Sequence, residues 1–445
     1  MATATATDLY AHQTRGVDLL VENPRYALWW DTGTGKTATV LRAIERVGGH
    51  WLVVCPLVLI ENAWMRDSDR FTPHLPIRSL RGAPLATAEH VGVEVINFEQ
   101  FRTNVPGFAL REYTGLIIDE SSKMKNPQSQ ISKRLREFAV KMQYVWLLSG
   151  TPAPNDALEY WPQLDAIALG GFGNYYQFRY AYGVSRVQPI GNGKTVKVWS
   201  AYAKRMPELM QRVATVSHTL SKDDCLDLPD QVNQTIRVEL SPAEQRAYDV
   251  FRHTLQVEIG NRKIIAAEAL AKVMKLRQFC NGWVYGPDGT IPIGESKMRA
   301  CLDLLDGPLD GQQVIIWVVF REDANRLLAN LGDSTVKLIG GMNDTERNVN
   351  IKAFISGTVR ILIANAASAG HGLTFTNCRY AIYYGLDYSA ERYVQSRDRI
   401  HRIGQKHKVT YYHLLAKGTI DERLLRVVRG KIDAATMARE CLNDE

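Results

Sequence analysis

Two series of short, almost continuously apolar runs dominate the chain. The first comprises WLVVC (Trp51–Cys55), VEVIN (Val93–Asn97), GLIID (Gly115–Asp119) and VWLLS (145–149). The second comprises VIIWVV (314–319), VRILIA (359–364), YAIYY (380–384) and VTYYHLL (409–415). Runs of this length with no polar alternation suit strands buried on both faces of a parallel sheet, which needs helices over each face. A chain of 445 residues is also too long for one ordinary core. The pattern therefore predicts an α/β fold built twice.

A fresh strand at 234–240 follows Leu228-Pro229-Asp230, and SPAE then starts a helix. The boundary is placed there, giving an N-terminal domain of 1–230 and a C-terminal domain of 231–445. A long helical reading runs from 242 to 279. No window is apolar and uncharged for long enough to span a membrane, and no leader pattern is visible, so a soluble intracellular protein is expected. The six cysteines lack paired CxxC spacing, which predicts reduced thiols and no structural metal. A formal charge of +7 favours a polyanionic partner without deciding for one.

DTGTGKT, residues 31–37, carries the first chemistry. Gly33, Gly35, Lys36 and Thr37 match the second half of GxxxxGK[ST], with Thr34 inside the same loop. In that motif backbone N–H groups cradle phosphates, the lysine reaches the β and γ oxygens, and the threonine hydroxyl holds Mg²⁺. The first glycine position holds Trp30 instead. Asp119-Glu120 closes the run GLIID, and adjacent carboxylates at a strand end suit one metal contact and one contact to an attacking water. A glycine turn before a helix and a solvated acidic turn are the plain readings of each motif alone. Together, at this separation, they predict an ATPase site.

QSRDRIHRIGQ, residues 395–405, is the second constellation. Gln395, Arg399 and Arg402 at i, i+4 and i+7 would share one face of a helix that Gly404 ends. An exposed helix with solvated arginines has the same spacing. Arginines brought to a γ-phosphate instead stabilise transition-state charge.

In order, LYAHQTRGVDLL, DTGTGKT, VVCPLVLIENAW, VINFEQF, DESSKMKNP, LSGTPAPN, KLRQFCNG, ANAASAGHGLT and QSRDRIHRIGQ resemble the successive motifs of the Swi/Snf-type DNA-dependent ATPases of helicase superfamily two. The resemblance spans roughly residues 9 to 425, in a minimal form without accessory domains, and DRIHRIGQ is its most specific piece. It implies two tandem RecA-like lobes, with a helical protrusion near 155–225 and a helical insertion near 242–282. It implies a motor that hydrolyses ATP with Mg²⁺ in the cleft between the lobes and translocates on double-stranded DNA. Carried over by motif, Gln13 contacts adenine, and Gly33, Thr34, Gly35, Lys36 and Thr37 hold the phosphates. Thr37 and Asp119 hold Mg²⁺, Glu120 activates water, Arg399 and Arg402 are arginine fingers, and Gln395 orients nucleotide or water. Ser149, Gly150 and Thr151 couple the nucleotide to DNA, and Pro56, Asn97, Gly370 and Gly372 line the track.

The chain departs from the family where Ser121-Ser122 stands after Asp119-Glu120 and where Tyr388-Ser389-Ala390 replaces Trp-Asn-Pro. Lys123, Lys125 and Arg102 are weaker candidates for phosphate contacts. Six aromatics with one arginine between 170 and 183 are read mainly as packing, with base stacking as the second reading. The alternative functions are a strand-separating DNA or RNA helicase and a DNA-binding scaffold without turnover. The expected setting is the cytoplasm, nucleoid-associated, of a prokaryote or virus-infected host. A monomer is expected, with no membrane or histone partner.

Overall fold

Arg25–Trp30 shows how the first half is organised. Alternate side chains of a strand point to opposite faces, and Ala27 and Trp29 enter one core cluster while Leu28 and Trp30 enter another. Leu52 and Val54 against Val53 and Cys55, and Leu116 and Ile118 against Ile117, divide the same way. Both faces of this sheet are therefore covered, and each fully buried Val, Leu or Ile contributes about 1.5–3 kcal/mol.

The computed structural model describes residues 8–443 except 82–91, 110, 192–193, 255, 260–261, 266–268, 287 and 367–372. The chain divides into two units, 1–227 with 431–445, and 228–430. No helix among the described residues is long and apolar enough to cross a membrane.

In the first unit the strands are β1 (Arg25–Trp30), β2 (Trp51–Cys55), β3 (Ile77–Ser79), β4 (Val93–Asn97), β5 (Gly115–Asp119), β6 (Tyr144–Leu148), β7 (Gly183–Gly191), β8 (Lys194–Ala201) and β9 (Ser217–Leu220). Seven of them form one parallel sheet in the order β3-β4-β2-β5-β6-β1-β9. β7 and β8 pair antiparallel as a separate ribbon.

In the second unit β10 (Gln231–Val238), β15 (Val314–Val318), β16 (Thr335–Leu338), β17 (Ile361–Asn365), β18 (Tyr380–Tyr383) and β19 (Val409–Ala416) form a second parallel sheet. Its order is β10-β19-β18-β15-β17-β16. The remaining strands are two antiparallel hairpins, β11 (Gln256–Ile259) with β12 (Arg262–Ile265), and β13 (Trp283–Gly286) with β14 (Gly289–Pro292). The architecture is α/β, with two tandem RecA-like parallel sheets flanked by helices.

Two expectations are corrected. The helix read across 242–279 is two helices, Pro242–Thr254 and Ala269–Cys280, with β11 and β12 between them. The β-branched residues Val257, Ile259, Ile264 and Ile265 favour strand there. The helix expected to carry Gln395, Arg399 and Arg402 on one face ends at Arg397, before either arginine.

Candidate nucleotide site

β5, β6 and β1 are consecutive neighbours in the first sheet and run parallel, so their carboxyl ends lie side by side. From β1 leaves the loop 31–35, from β5 Glu120, and from β6 Ser149-Gly150-Thr151. Three segments far apart in sequence thus meet at one sheet edge, the position where open parallel sheets place ligands. Pro56 follows β2 and Asn97 ends β4 at the same edge.

The loop has a backbone that only glycine carries cheaply. Gly33 and Gly35 have φ of 92° and 86°, and a Cβ on Gly35 would stand 1.9 Å from Gln13 Nε2. Gln13 itself is buried; its Nε2 donates to Thr34 O at 3.2 Å and its Oε1 accepts from Tyr10 N–H at 2.9 Å. In this structure Gln13 braces the loop from behind. His12 Nε2 lies 2.9 Å from the same carbonyl. Lys36 opens the helix Lys36–Val47, and its Nζ donates to Trp30 O at 2.8 Å and Asp31 O at 3.0 Å. Thr37 sits in the first turn of that helix, whose free N–H groups and positive dipole end favour an anion.

Asp119 is buried at the end of β5, and Trp64 Nε1 donates to its Oδ2 at 2.9 Å. Burial and then the neighbouring Glu120 charge push its carboxyl up to about 6, against the Trp64 hydrogen bond and the Lys36 ammonium. A buried carboxylate destabilised as an anion is chemically suited to a divalent cation. Among the described residues no three His, Cys, Asp or Glu gather into a metal cluster. Asp119 with the Thr37 hydroxyl would fit Mg²⁺, which uses one or two protein oxygens with phosphate and water rather than a full protein cage.

Glu120 has φ 64° and ψ 54°, the left-handed region, which costs a non-glycine residue about 1–3 kcal/mol. Its Oε1 accepts two hydroxyl hydrogen bonds, from Ser122 at 2.9 Å and Ser149 at 3.2 Å. Ser149 Oγ also accepts the Thr151 N–H at 3.1 Å, which ties the carboxylate to the turn after β6. Gly150 packs closely against the nucleotide loop, where a Cβ would stand 2.8 Å from Thr32 Oγ1. Ser121 turns the other way and donates to Gln163 Oε1 at 2.6 Å, and Gln163 Nε2 donates to Pro152 O at 2.7 Å.

Trp64, Ser122 and Gln163 were not assigned roles from sequence. Trp64 ends the motif VVCPLVLIENAW and Ser122 stood out as a departure, but Gln163 carries no sequence signal. Asn97 caps the following helix, its Oδ1 accepting Gln100 N–H at 2.9 Å. Arg102 pairs with Glu99 and is half-buried at the helix surface, and Lys123 is exposed.

In the second unit Gln395 lies in the helix Ala390–Arg397, and its Nε2 is 3.4 Å from Glu391 Oε1. Arg399 and Arg402 converge through turns rather than along a helix. Both donate to Leu373 O, at 3.3 and 3.4 Å. Gly370 and Gly372 lie outside the described residues. Within KLRQFCNG, Arg277 is buried over Phe320 and Tyr388, and Asn281 binds Asp323 and Lys297. This motif builds the interior of the unit.

The SNF2-related domain profile matches residues 12–283, and that of the helicase conserved C-terminal domain matches residues 296–404. The chain belongs to the SNF2-related family. It is an ATPase of helicase superfamily two.

Among its relatives, putative protein p41 of Acyrthosiphon pisum secondary endosymbiont phage 1 is 27% identical over 439 residues, covering 91% of this chain and 92% of the relative. An uncharacterized ATP-dependent helicase of Mycoplasma pneumoniae is 25% identical over 417 residues, 89% of this chain. Chromatin structure-remodeling complex subunit snf21 of Schizosaccharomyces pombe is 24% identical over 456 residues, 91% of this chain. The SNF2-related chain spans 38% of the Mycoplasma relative and 36% of the fission-yeast one. A solved Sulfolobus solfataricus SWI2/SNF2 ATPase core in complex with dsDNA matches at 21% identity and a TM-score of 0.45, covering 100% of this chain and 97% of that one.

Proposed function

We propose that the chain hydrolyses ATP to translocate on double-stranded DNA, remodelling DNA or protein–DNA complexes. The observation that carries the reading is Glu120, strained into the left-handed region and held at one oxygen by Ser122 and Ser149, beside the glycine loop and Asp119. Strain of this kind is retained where it presents a reacting group. Glu120 accepts the proton of the attacking water, and its fixed oxygen leaves the other free to face it. Lys36 binds the β and γ oxygens, and Thr37 with Asp119 would hold Mg²⁺, which supplies charge neutralisation at the phosphates. Arg399 and Arg402 supply charge to the transition state, Gln395 orients nucleotide or water, and Gln13 contacts adenine. The Ser149–Glu120 bond gives the coupling its physical route: the segment assigned to DNA coupling touches the base of hydrolysis directly.

Duplex DNA as the track is supported by the family and by the basic charge of the chain, +7. Steady-state hydrolysis is measured without nucleic acid and with single-stranded DNA, duplex DNA and RNA at one salt concentration, with Glu120→Gln as the blank. Stimulation by duplex supports the reading. Stimulation only by single strands or RNA replaces it with a strand-separating helicase, and no hydrolysis replaces it with a scaffold. Lys36→Ala is expected to cut turnover at least about 100-fold while DNA affinity stays within about twofold. Normal turnover in that variant would remove the phosphate assignment.

A further inference from the structure

We infer that the β7–β8 ribbon is a second contact to duplex DNA, made through its phosphates. The inference rests on the reading that the chain works on duplex DNA. Residues 166–207 contain six cations, Arg179, Arg186, Lys194, Lys197, Lys204 and Arg205, and no Asp or Glu. In a chain whose Lys and Arg outnumber Asp and Glu only 54 to 47, that segregation is local.

The ribbon's root is fixed and its body is exposed. Ala201 N–H donates to Asp156 Oδ2 at 2.8 Å, and Tyr202 N–H to Tyr182 O at 2.8 Å. Arg179 stacks over Trp199 at 4.5 Å and over Tyr175 and Tyr176, which holds the base of the ribbon against its preceding helix. Beyond that, Arg186, Val187, Gln188, Thr195, Val196, Lys197 and Val198 are all exposed, Val187 at 69%. Cross-strand register puts Arg186 opposite Val198 and Val187 opposite Lys197, so consecutive pairs, which face opposite sides, each present one cation. Among the described residues no ion pair involves Arg186 or Lys197. The two-stranded ribbon makes no strand pairing with any other described sheet.

A ribbon exposed on both faces, with a cation on each and no carboxylate along it, fits a polyanion better than an acidic or apolar protein surface. Two strands and their side chains also match the width of the DNA major groove, about 12 Å. Phosphate contacts of this kind carry no base preference, as a translocating motor needs.

The test uses the full chain and a fluorescent duplex over a salt series. Each lost phosphate contact lowers the slope of log affinity against log salt by about 0.9, so R186E/K197E is expected to flatten it by about 1.8. Affinity at fixed low salt is expected to fall about 10-fold or more. Hydrolysis without nucleic acid should remain at the wild-type rate. R186Q/K197Q loses the same two contacts and should flatten the slope by a similar amount with a smaller fall in affinity, and it replaces the double reversal if that variant fails to fold. Unchanged slope and affinity in the variants, with wild-type binding intact, overturns the ribbon contact alone. A wild-type chain that binds no duplex overturns the functional reading and this inference with it.

Discussion

At the scale of the residue, the account turns on how Glu120 is held. Ser122 and Ser149 donate to the same oxygen, so each removes freedom that the other also removes. A hydrogen bond to a charged group is worth about 1.5–3 kcal/mol, and Ser122→Ala is therefore expected to lower kcat roughly 10-fold with little change in KM for ATP. Ser149→Ala should cost more, because the Thr151 N–H loses its acceptor too. The double variant should fall short of the product of the single effects, since both bonds end on one atom. Equal losses in KM, or strict multiplicativity, would contradict the positioning role. Ser122 was visible in the sequence only as a missing imidazole; that its hydroxyl turns back onto Glu120 depends on the left-handed turn, which no propensity predicts for glutamate.

At the scale of elements, the apolar runs gave most of both sheets because double burial leaves a continuous signature. β1 leaves no such signature, since RYALWW is aromatic and adjoins the glycine loop. The short strands β3 and β9 lie at the sheet edges, where length and burial leave little pattern. The spacing of Arg399 and Arg402 suggested a helix face, whereas both reach Leu373 O through turns.

β4 carries a consequence that no motif announced. Glu94 is completely buried and accepts from Arg78, Arg111 and Tyr113. Burial alone would raise its carboxyl, but the hydrogen bonds from Tyr113, Arg78 and Arg111 outweigh burial and hold it below the usual range. A carboxyl lowered on folding stabilises above its unfolded value, about 4.3, and that contribution is lost as pH falls through the folded value. Glu94→Gln removes the buried carboxylate that Arg78, Arg111 and Tyr113 share and is expected to cost about 3–5 kcal/mol at neutral pH. Thermal melts from pH 7 down through the acid range check this: the variant should melt well below the wild type at pH 7, with the gap closing only as pH falls below about 4.3 toward the folded value. A constant gap would show that the charge is not what stabilises β4.

At the scale of the whole molecule, each unit holds one parallel sheet, and the two motif sets divide between them. The nucleotide loop, Asp119-Glu120 and Ser149–Thr151 belong to the first unit, while Gln395, Arg399 and Arg402 belong to the second. On the proposed function, residues of both sets act in hydrolysis and turnover is expected to respond to the track. The most direct measurement is turnover per enzyme at saturating duplex DNA, in constant total base pairs, as duplex length is increased. A translocating motor is expected to show turnover that rises with length and then levels, because longer tracks postpone the loss of the enzyme at an end. Turnover independent of duplex length, with hydrolysis intact, would contradict translocation on double-stranded DNA.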